Sequence, residues 1–217
     1  MTDIKRYTTG EEIFNSVSHG VSALGAVIGC TVMITLSACF GTGRAVASSI
    51  IFGLSLVTMY TMSTLYHAFP FERVKKLFRI FDHSSIPLLI AGSYTPFCLI
   101  ALKDSPKGTV VVTVVWLCAA AAIALNVINL DRFEKYTLVI YIAMGWSVLF
   151  ALKDIVAALP QPGFLLLLGG GLAYTAGIAF YKMTKVRYMH SVWHLFVTLG
   201  SLLHFLCVVM YVLPMTY

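Results

Sequence analysis

Apolar residues fill this chain in seven long blocks, residues 18–40, 45–69, 85–102, 109–130, 136–152, 163–181 and 189–213, with short polar clusters between them. A helix needs about 20 mostly apolar residues to cross the ~30 Å hydrocarbon core of a bilayer, and a spanning segment must satisfy its own backbone. Each block therefore predicts one membrane-spanning helix. Block 136–152, with 17 residues, is at the short limit, but Tyr136 and Phe150 place aromatics at its ends and basic residues lie beyond them. The connections, 41–44, 70–84, 103–108, 131–135, 153–162 and 182–188, are too short to hold a separate domain. The expected fold class is all-α, one seven-transmembrane helix bundle over residues 18–213 with a tail of 214–217. Ahead of it, residues 1–17 read as a polar tail and a short interfacial helix. Thr9 and Glu12 have capping-box spacing, Gly10 opens the helix, and Ile13, Phe14 and Val17 line one side.

Inside the blocks, Gly169, Ala173 and Gly177 recur every four residues, a stripe that lets two helices approach closely. Pro87 lies near the start of the third block, where a missing N–H is tolerated, and Pro96 is deep enough to kink it. Hydrophobic residues make up 59% of the 217 positions and charged residues 11%, a balance outside the range of soluble domains. The net charge of +6 fits basic loops facing anionic lipid, and no aromatic-and-basic pattern points to nucleic acid. Counting Lys and Arg by side gives 11 for the N-terminus and the second, fourth and sixth connections, against 4 for the other three. That bias predicts a cytoplasmic N-terminus and, with seven spans, a C-terminus outside. All five cysteines fall inside apolar blocks without a C-x-x-C and read as small buried hydrophobes. The first block follows Lys5 and Arg6 but is too long for a signal peptide and lacks its cleavage pattern, so it is expected to be retained.

Ionisable residues inside such blocks are costly and are functional candidates by default. His190 and His194 open the last block four residues apart, which on a helix puts both imidazoles on one face, as in helical zinc sites. Ser63 and His67 have the same spacing at the end of the second block, and Asp82 comes just before the third. With the predicted topology all five reach one depth near the inner leaflet boundary. Three imidazoles, a carboxylate and a hydroxyl match a catalytic zinc site with three protein ligands and one open position. The ligands expected for Zn2+ are thus His67, His190 and His194. The ordinary reading of an i, i+4 histidine pair is two core histidines bonded to backbone and water. His204 lies ~15 Å further along its helix, too far to share an ion, and reads as an interior packing residue. His83 reads as solvated, His19 as a residue near the site, and Asn126 and Asn129 as interhelical hydrogen-bonding groups.

Taken together, Glu11-Glu-Ile-Phe-Asn15 with His19-Gly20, Ser63-Thr-Leu-Tyr-His67, Asp82-His83, Ile90-Ala-Gly-Ser-Tyr-Thr-Pro96 and His190-Ser-Val-Trp-His194 are recognisable. In this set and order the chain resembles the hemolysin III proteins, the bacterial branch of the progestin and adipoQ receptor (PAQR) family. The resemblance implies zinc held by His67, His190 and His194, with Asp82 and Ser63 close by, in a multi-pass protein of the bacterial inner membrane. It also implies a ceramidase-like activity on lipid amides or a role in membrane lipid homeostasis. The function expected is hydrolysis of an amide or ester bond in a membrane lipid, with Asp82 as proton acceptor and Ser63 as oxyanion donor. Asp82 as a metal ligand, or as a group orienting one, stays open. So do a non-catalytic regulator or receptor with structural zinc and a pore-forming haemolysin.

Overall fold

The computed structural model describes residues 7–217; Lys5, Arg6 and the rest of the tail lie outside the described residues. All regular structure among them is helical: α1 Thr9–Phe40, α2 Gly43–Ala68, α3 Glu72–Pro96, α4 Pro106–Gly145, α5 Leu152–Ala158, α6 Gln161–Lys182 and α7 Met189–Cys207. Short π and 3₁₀ turns extend α3 and α7 and link α4 to α5. Six helical stretches are long and apolar enough to cross a membrane. Seven were expected, and the difference lies in one stretch, Pro106–Ala158, which joins two of the predicted blocks.

That stretch is not one straight rod. Asn129 has extended dihedrals (φ −166°, ψ 93°), and its side-chain oxygen accepts from Arg132 N at 3.0 Å, capping a new helical arm. Before the break, Trp116 Nε1 donates to Thr95 Oγ1 of α3. Beyond it, Asp131 meets Arg79 at 2.6 Å and Gly145 O accepts from Tyr94 OH at 2.7 Å. The first arm therefore runs opposite to α3 and the second runs alongside it. Asn126 Nδ2 donates to Tyr141 OH at 2.8 Å, a contact that 15 residues of unbroken helix, ~22 Å, would forbid. Asn126 bonds between arms as expected, whereas Asn129 serves as a cap.

Helix α1 corrects two expectations. The interfacial helix is its first turns, continuous with the long apolar run, and the capping box is Thr8 with Glu11 in place of Thr9 with Glu12. Thr8 N and Oγ1 donate to the Glu11 carboxylate at 2.9 and 2.7 Å, and Glu11 also accepts from Tyr188 N at 2.8 Å. The start of α1 is thereby tied to the residue before α7, where Tyr188 takes a left-handed φ of 61°.

Residues 72–84, expected to belong to a connection, are instead the first three turns of α3, with Arg79 paired to Asp131 and Glu134. Pro87 is therefore in the helix interior. It cannot donate to the carbonyl of His83, and that carbonyl accepts from Tyr141 OH at 3.1 Å. On α6 the buried stripe is Gly163, Gly170, Ala173 and Gly177, so Gly170 takes the place expected for Gly169. A Cβ at Gly170 would overlap the His204 ring, and one at Gly177 would come within 2.8 Å of Trp193.

Burial is inverted relative to a soluble bundle. On α1, Val17, Val21, Leu24 and Ile28 face outward while Glu11, Asn15 and His19 are buried. Apolar surface outside and polar groups inside are what hydrocarbon demands, and this is a multi-pass membrane protein.

Candidate metal centre

Three imidazoles meet at one end of the bundle. His67 comes from the last turn of α2, and His190 and His194 from the first two turns of α7. One ring nitrogen from each lies within 4.8 Å of the others. His190 Nε2 and His194 Nε2 are 3.2 Å apart. Tetrahedral zinc with Zn–N of 2.0–2.1 Å would separate its ligand nitrogens by about 3.3 Å, so this pair already has the spacing of one tetrahedral edge.

The surrounding hydrogen bonds set the ring tautomers. His67 Nδ1 lies 2.6 Å from Glu12 Oε2, and Lys75 holds the other carboxylate oxygen at 2.7 Å. With its proton on Nδ1, His67 presents Nε2 as a bare lone pair, buried and without a hydrogen-bond partner. His194 Nδ1 lies 3.4 Å from Ser18 Oγ, which itself donates to Asn15 O at 3.1 Å. That chain likewise leaves His194 Nε2 bare. Histidines that bind metal are commonly held this way, by a carboxylate or oxygen at the other ring nitrogen. Bare nitrogens facing one another in a buried place repel unless a proton or cation lies between them, so the residues fit a metal ion such as zinc.

Around these rings the packing is aromatic. His19, only 2% exposed, stacks on His194 with ring centroids 3.6 Å apart and planes within 6°. Tyr7 stacks on His190 at 4.9 Å and closes the site from the chain's N-terminal side. Burial raises the Tyr7 hydroxyl above its ordinary range, so the ring is a neutral cover.

Ser63, Asp82, His190 and His194 all line one cavity of about 160 Å³, whose remaining wall is mostly apolar. His67 is buried and is not part of that lining. Asp82 is 8% exposed near the middle of α3, with His83 Nδ1 3.6 Å from its carboxylate. No carboxylate oxygen joins the cluster of ligand atoms among the described residues. His83 is half-buried and bonded to Arg79 O at 2.9 Å, so it is not the solvated residue expected. His204 is at the far end of the cavity, its Nε2 donating to Leu167 O at 3.2 Å.

Glu12 and Ser18 are the parts of the site that sequence reasoning missed, and His19 sits closer to it than expected. Glu12, Asn15 and His19 share one face of α1 at steps of three and four, a polar stripe on an apolar helix that carries the signal. The capping role expected of Glu12 belongs to its neighbour, Glu11.

The similarity to known proteins extends over nearly the whole chain. The chain is 40% identical to Hemolysin-3 of Bacillus cereus over 204 residues, covering 94% of this chain and 93% of that protein. With the Hemolysin-3 homolog of Bacillus subtilis it shares 37% over 205 residues, covering 94% and 96%. A more distant similarity, 25% over 206 residues, links it to the human monocyte to macrophage differentiation factor, a PAQR-family protein, covering 91% and 83%. The family described as haemolysin-III related matches residues 7–205, a span that takes in Glu12, His67, Asp82 and both α7 histidines. This chain belongs to the haemolysin III family.

Proposed function

We propose that the protein is a seven-span, zinc-dependent hydrolase that cleaves an amide or ester bond in a membrane lipid, with its N-terminus in the cytoplasm. The observation that carries the reading is the pairing of three convergent imidazoles with a cavity that contains both Asp82 and Ser63. The reversal at Asn129 supports seven crossings. Helical residues 106–158 would extend ~80 Å if straight, far more than a ~30 Å core needs. The excess of basic residues on the N-terminal side supplies the orientation.

His67, His190 and His194 would hold the ion, with Glu12 and Ser18 fixing two of the rings. When bound, zinc supplies Lewis acidity, polarising a carbonyl and bringing the pKa of water toward ~7. Asp82, a carboxylate on the cavity wall, accepts the proton from the attacking water and returns it to the leaving amine or alcohol. Ser63, on the α2 face one turn from His67, donates a hydrogen bond to the oxygen that gathers charge. From His194 to His204 the cavity follows α7 for ~15 Å, the depth of one leaflet's hydrocarbon, so an acyl chain fits beneath the polar linkage.

The test uses detergent-purified protein, a panel of ceramide-like amides and ester lipids, and zinc content measured on the same samples. Asp82→Asn keeps the shape and removes the acceptor, so zinc is retained and hydrolysis falls by roughly 10²–10⁴. Ser63→Ala falls less. Loss of zinc in Asp82→Asn makes the carboxylate a ligand. Zinc-loaded wild type that turns over no lipid makes the protein a regulator with structural zinc.

A further inference from the structure

Beyond His204 lies a second, smaller chamber of about 90 Å³, lined by groups such as Phe97, Cys98, Val111, Ile155 and Phe164. It borders the first cavity along a shared rim of Ser93, Tyr94, Gly145, Trp146, Gly171 and His204. Two features single out this rim. Two of its side chains are fixed by hydrogen bonds: Tyr94 OH donates to Gly145 O at 2.7 Å and accepts from Val148 N at 3.1 Å, and His204 is tied to Leu167 O. Its two glycines, one on the second arm of α4 and one on α6, face open space: a Cβ at Gly145 or Gly171 would meet nothing within 4 Å. Neither glycine has a positive φ, so backbone conformation does not require glycine at either place. Elsewhere on α6 the glycines admit a neighbouring helix, but Gly171 admits none.

We propose that the Gly145–Gly171 rim is an acyl-length selector: the chain of a bound lipid passes between the glycines, and its terminal methylenes fill the second chamber. From His194 to His204 the first cavity offers ~15 Å, and from Gly171 to Phe164 the second adds ~10 Å. A chain with one leaflet's worth of hydrocarbon, ~15 Å, ends at the rim, and a longer one crosses it. The chamber wall is apolar, so each methylene that enters gains about fourfold in affinity until the space is full. The inference rests on the proposed reading only in placing the lipid's polar end at the three histidines.

The experiment measures binding, so that its outcome is separate from turnover. Full-length zinc-loaded protein in detergent is titrated with saturated carboxylic acids from roughly 10 to roughly 20 carbons, bracketing one leaflet's depth. Wild type should gain affinity through the long members of the series. Gly171→Leu and Gly145→Leu, each filling space that is open, should match wild type for short chains and plateau several carbons earlier, with zinc content unchanged. An unchanged length profile in both variants, or equal weakening at every length, overturns the proposal. His190→Ala should lower affinity across the series while keeping the wild-type length dependence. A length profile that vanishes in this variant also overturns it. Wild type that shows the profile yet hydrolyses no lipid leaves the selector standing and removes the hydrolase.

Discussion

Glu12 Oε2 takes the Nδ1 proton of His67 at 2.6 Å while Oε1 takes Lys75 at 2.7 Å, so the carboxylate fixes a ring on one side and is itself compensated on the other. Removing such an orienting partner typically lowers metal affinity 10–100-fold. Glu12→Gln should therefore release zinc to a competing chelator at 10–100-fold lower chelator strength, while Glu11→Gln, which disturbs only the cap and the Tyr188 tether, should titrate like wild type. Equal titration of Glu12→Gln and wild type would remove Glu12 from the site. Alanine at His67, His190 or His194 should abolish most of the bound metal by elemental analysis, and alanine at His83 or His204 should not. The three histidines and Asp82 are legible in the sequence because an ionisable side chain in or beside an apolar block is costly unless it is used there. Glu12 is not, since a glutamate in the first turn of a helix is ordinary, favoured by the cap and the helix dipole. Only the one-residue placement of Thr8 and Glu11 as the cap turns the next residue toward His67.

At the scale of elements, the relay Asn126–Tyr141–His83 compensates for Pro87. The proline leaves the His83 carbonyl without its helical donor, and Tyr141 OH supplies one from the second arm of α4. Tyr141→Phe should destabilise the protein by about 1–3 kcal/mol, the usual effect of leaving a buried acceptor unpaired. In a Pro87→Ala background the helix regains its own donor, so the same change should matter much less. Thermal unfolding of the four proteins in detergent measures the coupling, and additive effects would refute the relay. Helix contact on α6 gives a second test: Gly170→Ala should lower the unfolding temperature by forcing the His204 ring aside, whereas Gly169→Ala meets only Leu203 at 3.5 Å and should be neutral. Apolar blocks locate the hydrocarbon-crossing part of each helix and say little of what lies beyond it. The charged turns 72–84 carry no apolar run, and their helix is stabilised by pairing with Asp131 and Glu134, far away in sequence. The break at Asn129 falls two residues before the expected connection 131–135, and helix resumes so soon after it that this connection is itself helical.

For the whole molecule, the proposed orientation sets the N-terminal side, where basic residues are in excess, in the cytoplasm. A fluorescent reporter that matures only in the cytoplasm should stay dark when fused after Tyr217 and glow when fused ahead of Met1. Two bright fusions would give an even number of crossings and return Pro106–Ala158 to a single pass. The residues of the candidate site also come from opposite ends of the chain. Glu12 and His67 belong to its first third and His190 and His194 to its last, and the bonds from Glu11 and Ser18 to α7 close loops of 177 and 176 residues. A ribosome adding 5–20 residues per second needs on the order of ten seconds to pass from His67 to His190. Throughout that interval the growing chain holds His67 against Glu12 but lacks both α7 imidazoles. On the proposed zinc reading, metal capture is a late event in biogenesis, after the last helix has entered the membrane. Cells short of zinc should accumulate chains that are fully inserted yet open to membrane proteases at the α1–α7 seam, while the α2–α3 pair, complete from the outset, resists them.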